Sequence, residues 1–188
     1  MKLLNIILLA AAVAIIGSCK DKKHVNTDII TTDYEIPQPV APIAMDTASK
    51  HFDATTASGQ PYGIDIVRMP ADTLPMVADA IGQKYIDNRV SVTITKGNGE
   101  QVFARKFTKA SFAEWLNDDY RTNALLQDIT FYGAEKDNLV LTAVVNAPDA
   151  AEDESINLML TVSSKGDLSV EPFDDDQRDD LKQQDLNQ

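Results

Sequence analysis

The stretch RVSVTITKGNGEQVFARKF, Arg89–Phe107, decides the fold. Asn98-Gly99 near its middle is the pair favoured at the centre of a type I′ hairpin turn, where both residues take positive φ. With that turn, paired residue numbers add to 197. Ile94 then faces Phe103, and Val90 faces Phe107. Thr95, Thr93 and Ser91 face Val102, Ala104 and Lys106 on the other side. One face is aromatic and aliphatic and the other mostly polar, as a half-buried antiparallel pair requires.

Downstream, Thr108 stands where an N-cap would. Phe112, Trp115 and Leu116 then recur at i, i+3 and i+4, which predicts a short amphipathic helix ending near Asn117 or running irregularly to Leu126. Alternation returns at Asp128–Gly133. Leu139–Val145 is nearly all apolar and reads as a central strand. Ile156, Leu158, Leu160 and Val162 alternate with Asn157, Met159 and Thr161, Lys165-Gly166-Asp167 turns the chain, and Leu168 with Val170 makes a last short strand. Upstream, Ile64 and Ile66 flank Asp65 in a weak first strand, while Met69–Tyr85, with Pro70 and Pro75, takes no element. Six or seven strands at such intervals predict a mainly β domain, an antiparallel β-sandwich or small barrel with one short α-helix.

Composition narrows the function. The 188 residues carry 29 acids against 17 Lys plus Arg, a formal charge of −12. Nucleic acid is excluded as a partner, because phosphate binding needs a basic face. One cysteine excludes an internal disulfide scaffold and any multi-cysteine zinc or iron–sulfur site.

That cysteine has a telling position. After Lys2, residues Ile6 to Ile16 contain nothing polar, too short a run to span a bilayer but suited to the apolar core of a secretory signal. Ile16-Gly17-Ser18-Cys19 resembles the lipobox of bacterial lipoproteins, with Ile16 in the place usually held by Leu. The resemblance implies cleavage after residue 18 and lipid on Cys19. One acyl chain anchors only marginally, at about 0.8 kcal/mol per buried methylene, whereas two or more hold a protein stably. Lys20-Asp21-Lys22-Lys23 resembles part of the export signal of surface lipoproteins from Bacteroidetes, with a single acid. It fits a basic stretch beside anionic headgroups equally well. An outer-membrane or cell-surface location is expected, with the periplasmic side also open.

The expected organisation is a lipoprotein signal peptide (1–18), a polar Pro-containing spacer (19–61), a β-rich domain (62–172) and an acidic tail (173–188). Within the spacer, Asp28–Ile36 has the pattern of an added edge strand.

Lys84-Tyr85-Ile86-Asp87-Asn88-Arg89-Val90, the Asn98-Gly99 turn, Lys106-Phe107-Thr108-Lys109-Ala110-Ser111-Phe112, Pro148 after an apolar strand and Gly166 form a recognisable series. Over Tyr62 to Val170 the chain resembles the small Bacteroides-type lipoproteins grouped as domain of unknown function 4738. The resemblance implies a β-rich fold and an envelope location, and no catalytic residue.

Catalytic constellations are thin. No serine lies in a Gly-x-Ser-x-Gly or Ser-x-x-Lys pattern. His24 and His51 fall in the expected spacer, where nothing positions them. Asp174-Asp175-Asp176 with Asp179 and Asp180 lack the alternation, glycine and distal glutamate of a calcium loop. Asp149, Glu152, Asp153 and Glu154 read as a solvated loop. Trp115 and Tyr120 could stack on a sugar, but the spacing of Trp115 with Phe112 assigns it to the core. Tyr132, next to Phe131 on the opposite strand face, is the candidate surface contact. No catalytic residue, cofactor or metal is expected. The expected partners are the membrane, through lipid on Cys19, and an envelope protein or glycan. The reading is a non-catalytic binding or scaffolding protein, with a β-barrel carrier of a small apolar ligand and a carboxylate-dependent hydrolase as alternatives.

Overall fold

The computed structural model describes residues 40–151 and 154–173. The described chain runs β1 (Ile43–Ala44), β2 (Ala48–Thr55), β3 (Pro61–Pro70), β4 (Val77–Ala78), β5 (Lys84–Ile86), β6 (Asn88–Lys96) and β7 (Gln101–Phe107). A 3-10 helix, η1 (Lys109–Trp115), and an α-helix, α1 (Asp118–Asn123), follow. Then come β8 (Leu125–Glu135), β9 (Asn138–Asn146), β10 (Ile156–Val162) and β11 (Leu168–Pro172).

Two four-stranded antiparallel sheets, ordered β2-β3-β6-β7 and β11-β10-β9-β8, form the body, and a three-stranded sheet β1-β5-β4 sits beside them. Neither main sheet closes on itself, so the fold is of the sandwich kind and not a closed barrel. One core joins Ile64, Ile66, Val90, Val92 and Ile94 of the first sheet to Ile129, Leu141, Leu158 and Leu160 of the second. Alternation explains these strands. In β6 every second residue from Asn88 to Ile94 is buried, with Arg89, Ser91 and Thr93 between them half-buried.

The hairpin holds its expected register away from the turn: Ile94 pairs with Phe103, Thr93 with Ala104, Ser91 with Lys106 and Val90 with Phe107. The turn itself differs. Gly99 N–H donates to Lys96 O and Lys96 N–H to Glu100 O, both at 2.8 Å. Only Gly99 takes positive φ, at 88°. This is a three-residue loop, a tight turn followed by one left-handed glycine, and the extra residue is absorbed by a bulge at Val102 that sets Thr95 opposite Gln101. Three other turns repeat the pattern with a left-handed glycine in the fourth place: Thr56–Gln60, Asp79–Gln83 and Ser163–Asp167.

Three further expectations need correction. The spacer does not extend to residue 61, because β1 and β2 lie within it. Ala48, Lys50, Phe52 and Ala54 of β2 turn inward, and β2 pairs with β3 along its whole length. The single helix is split in two: Asn117 accepts a hydrogen bond from Tyr120 N–H at 2.9 Å and starts a second helix, leaving Lys109–Trp115 one 3-10 segment. Met69–Tyr85, given no element, holds the end of β3, β4 and the start of β5. Cys19, His24, Asp28–Ile36, Glu152, Asp153 and tail residues 174–188 lie outside the described residues. Among the described residues no helix is long and apolar enough to cross a membrane.

Candidate functional site

The sandwich has two flanks, one where β2 approaches β8 and one where β7 approaches β11, and they differ in chemistry. On the first flank side chains latch the sheets. Lys50 of β2 pairs with Asp128 of β8. Arg68 Nη1 donates to Gln127 O at 2.8 Å, and its Nη2 to Asp46 O at 3.2 Å. Phe52 lies against Phe131, ring centroids 5.7 Å apart. Asp87 Oδ1 accepts from Leu126 N–H at 2.9 Å and Asn88 N–H at 2.7 Å, while Asn88 Nδ2 donates to Leu126 O at 2.9 Å.

Burial pushes the Asp87 carboxyl above its ordinary value, against the opposing pull of those two N–H groups and of the nearby Lys109 charge. Burial likewise lowers Lys109, whose Nζ donates to Ala124 O at 2.6 Å. Both partners shift in the direction set by desolvation, so their mutual attraction is the weaker effect. Apart from the local Asp87–Asn88 bond, these contacts tie separate segments together, Asp87 and Asn88 to Leu126 and Lys109 to Ala124. The pair is structural.

The second flank is open. Between the edge strands β7 and β11 lies a groove of about 420 Å³, lined by Arg105, Lys106 and Phe107, by Ser111 and Trp115 of η1, and by Leu168 and Val170. Arg105 and Phe107 stand on the inward face of β7, and Lys106, opposite Ser91, on its outward face. Its floor follows from the register. Leu168 and Val170 pair with buried Val162 and Leu160, so they face the core at the sandwich mouth. Arg105 pairs with Val92, which is 1% exposed, so Arg105 stands on the apolar face between Phe103 and Phe107. A cation at that position has water only because β7 is an edge. Among the described residues neither Arg105 nor Lys106 makes an ion pair or hydrogen bond, whereas Lys50, Lys96 and Arg121 are each paired with an acid.

The third wall is η1. The Phe107 and Phe112 rings stack at 5.6 Å with planes 6° apart, and Ser111 Oγ accepts from Thr108 N–H at 3.0 Å. Phe112 is fully buried and Leu116 nearly so. Trp115 is half-buried, packs on the core with one part and lines the groove with another. The core assignment for the only tryptophan is therefore half of its role. A second concavity, about 360 Å³, lies where Pro61, Tyr62 and Gly97 meet Asp53–Thr55. Its lining offers one acid and no free cation.

The remaining sequence candidates fall elsewhere. Tyr132 is half-buried on β8 with its ring edge-on to Phe173 at 5.4 Å, away from the groove. His51, assigned to an unpositioned spacer, is held on β2: Nδ1 lies 2.7 Å from Asp65 Oδ1 and Nε2 3.4 Å from Asp53 Oδ1. The hydrogen bond to Asp65, and then both acids' charges, raise its pKa above 6.5. Both ring nitrogens face carboxylates, an arrangement that holds a proton on the ring and points neither nitrogen at a hydroxyl. Among the described residues no group of three or more His, Cys, Asp or Glu is placed to hold a metal.

Neither Arg105 nor Lys106 is a site candidate on sequence alone. For Arg105 the signal in the sequence is a charge at a core-facing place in the Phe103–Phe107 alternation, and Lys106, on the polar side of the strand, carries none.

A family model described as a domain of unknown function (DUF4738) matches residues 29–170, from before the first described strand into β11. No curated protein matches the chain.

Proposed function

The chain belongs to the DUF4738 family, and from that premise we propose that it is a lipid-anchored cell-envelope protein whose β-rich body binds a partner without catalysis, through the groove between β7, η1 and β11. The observation that carries this reading is the groove itself: two cations without partners among the described residues, beside the sole tryptophan, in a chain whose formal charge is −12. Exposed apolar and aromatic surface joined to a few convergent polar groups is the usual composition of a ligand site. The Ile16-Gly17-Ser18-Cys19 stretch supports the anchor, which would raise the local concentration of the groove at a membrane outside the cytoplasm. A carrier of apolar ligands loses support because Ile94, Phe103, Leu141 and Leu158 fill one shared core.

The test is cross-linking in intact cells from a photoreactive residue placed at Ser111 in the groove or at Ser49 on the exposed face of β2. A discrete adduct from Ser111 and none from Ser49 is expected. Equal labelling from both positions, or none from Ser111, would refute the groove as the binding surface.

A further inference from the structure

We infer that the groove takes a short acidic saccharide, a reading that rests on the proposed binding role and specifies its ligand. Trp115 supplies a flat apolar surface, on which a sugar ring can stack through its C–H face. Arg105 supplies a planar fork of donors suited to a carboxylate or sulfate, and Lys106, which borders the groove from the outward face of β7, a second positive charge on a long flexible stem. The Ser111 hydroxyl, which already accepts from Thr108 N–H, keeps its own hydrogen for a ligand oxygen. The volume, about 420 Å³, lies in the lower part of the range for small-molecule sites.

An acidic peptide added as a strand is the other ligand such charges would suit, and the edge of β7 argues against it. A strand addition needs a run of free backbone. The β7 edge is interrupted by the bulge at Val102, where the Ser163–Asp167 turn comes so close that a Cβ on Gly166 would meet Val102 O at 2.2 Å. At its other end Ser111 and Trp115 of η1 overlie the groove. An inward-pointing charge such as Arg105 is itself a device that discourages edge pairing. What remains open is a short side-chain-lined recess.

The body's own charge limits the ligand's length. Distant acids are screened beyond about 8 Å at physiological salt, so one or two acidic groups touching Arg105 and Lys106 are attracted. A long polyanion would meet the repulsive field of the whole protein.

Trp115 is the only tryptophan, so all tryptophan emission comes from the groove wall and the part of the core packed against it. The mature protein is titrated with tetragalacturonate, with neutral maltotetraose and with a tetraglutamate peptide, each followed by emission and by calorimetry on the same samples. Saturable binding of the galacturonate is expected, with a change in Trp115 emission and at least tenfold weaker binding of the other two. Arg105→Ala is expected to weaken it tenfold or more, Arg105→Lys less, and Lys106→Ala severalfold, with unchanged circular dichroism. Equal affinity for maltotetraose would overturn the charge argument. Equal or tighter binding of tetraglutamate would overturn the saccharide and leave the binding role standing. Absence of binding to all three by both readouts would overturn the saccharide, while the Ser111 cross-link still decides the binding role separately.

Discussion

Replacing Gly166 by alanine tests how the open flank is built. Gly166 has φ 85°, and its added Cβ would lie 2.2 Å from Val102 O and 3.3 Å from the Val102 carbonyl carbon. Gly99, in the matching turn, has φ 88° and nothing within 4 Å of its Cβ position. The two substitutions share the left-handed penalty of about 1–2 kcal/mol, partly offset by a less flexible unfolded chain. Gly99→Ala should therefore cost about 1 kcal/mol. At Gly166 the overlap is with backbone and not with a flexible side-chain end, so the turn must lift from β7. Overpacking of that kind adds about 1–3 kcal/mol, giving roughly 2–4 kcal/mol in all. For a domain of this size each kcal/mol lowers Tm by about 3–5 °C. Urea unfolding of both variants, compared at constant slope, separates the two effects. Equal midpoints for Gly99→Ala and Gly166→Ala would show that the β10–β11 turn does not rest on Val102. Because β11 leads out of that turn into the groove wall, Gly166→Ala should also change Trp115 emission in the folded state, and Gly99→Ala should not.

Three more outcomes follow from the polar groups and one strained residue. Asp87 has a raised pKa, so between its ordinary value of 3.8 and the raised one the folded chain binds more protons than the unfolded. Stability should thus fall as pH rises through that window; Asp87→Asn keeps an oxygen acceptor and should flatten the fall, and an undiminished slope in the variant would count against the burial argument. His51 should titrate by NMR above 6.5 and drop on Asp65→Asn; its ion pairs stabilise below 6.5 and are lost as pH rises through the raised value, and an unmoved midpoint would contradict the pairing. Lys136 has φ 54° without being glycine, so Lys136→Gly should raise stability by up to about 1 kcal/mol; a lower Tm would mean that the lysine side chain contributes more than its backbone costs.

The readable parts of the fold were those where apolar character alternates without interruption. β6 and β10 are of this kind, and their pairing agrees with the residues' own pattern. β7 keeps the expected pairing away from the turn although Arg105 interrupts its inward row between Phe103 and Phe107. β2 hid because its inward residues are Ala48, Lys50, Phe52 and Ala54, small or charged except for one. Lys50 is tolerated inward only because Asp128, 78 residues away in the chain, meets it, and no local pattern announces such a partner. Asn-Gly serves two geometries, the two-residue turn expected from the sequence and the three-residue loop observed. The choice between them lay in Lys96-Gly97-Asn98-Gly99, whose fourth-place glycine recurs at Gly59, Gly82 and Gly166. The groove was half legible: Phe112, Trp115 and Leu116 were seen as one apolar face, but a 3-10 turn leaves the tryptophan at the mouth of the sandwich. Arg105 became visible once the register placed it opposite Val92.

The measurement that bears most directly on the proposed role of a tethered, groove-bearing body is the intact mass of the protein extracted from the membranes of its native host. The expected mass is that of a chain beginning at Cys19 plus a diacylglycerol group, with or without a further acyl chain on the new amino terminus. A free thiol at Cys19, or a chain still carrying residues 1–18, would contradict the anchor on which that role depends.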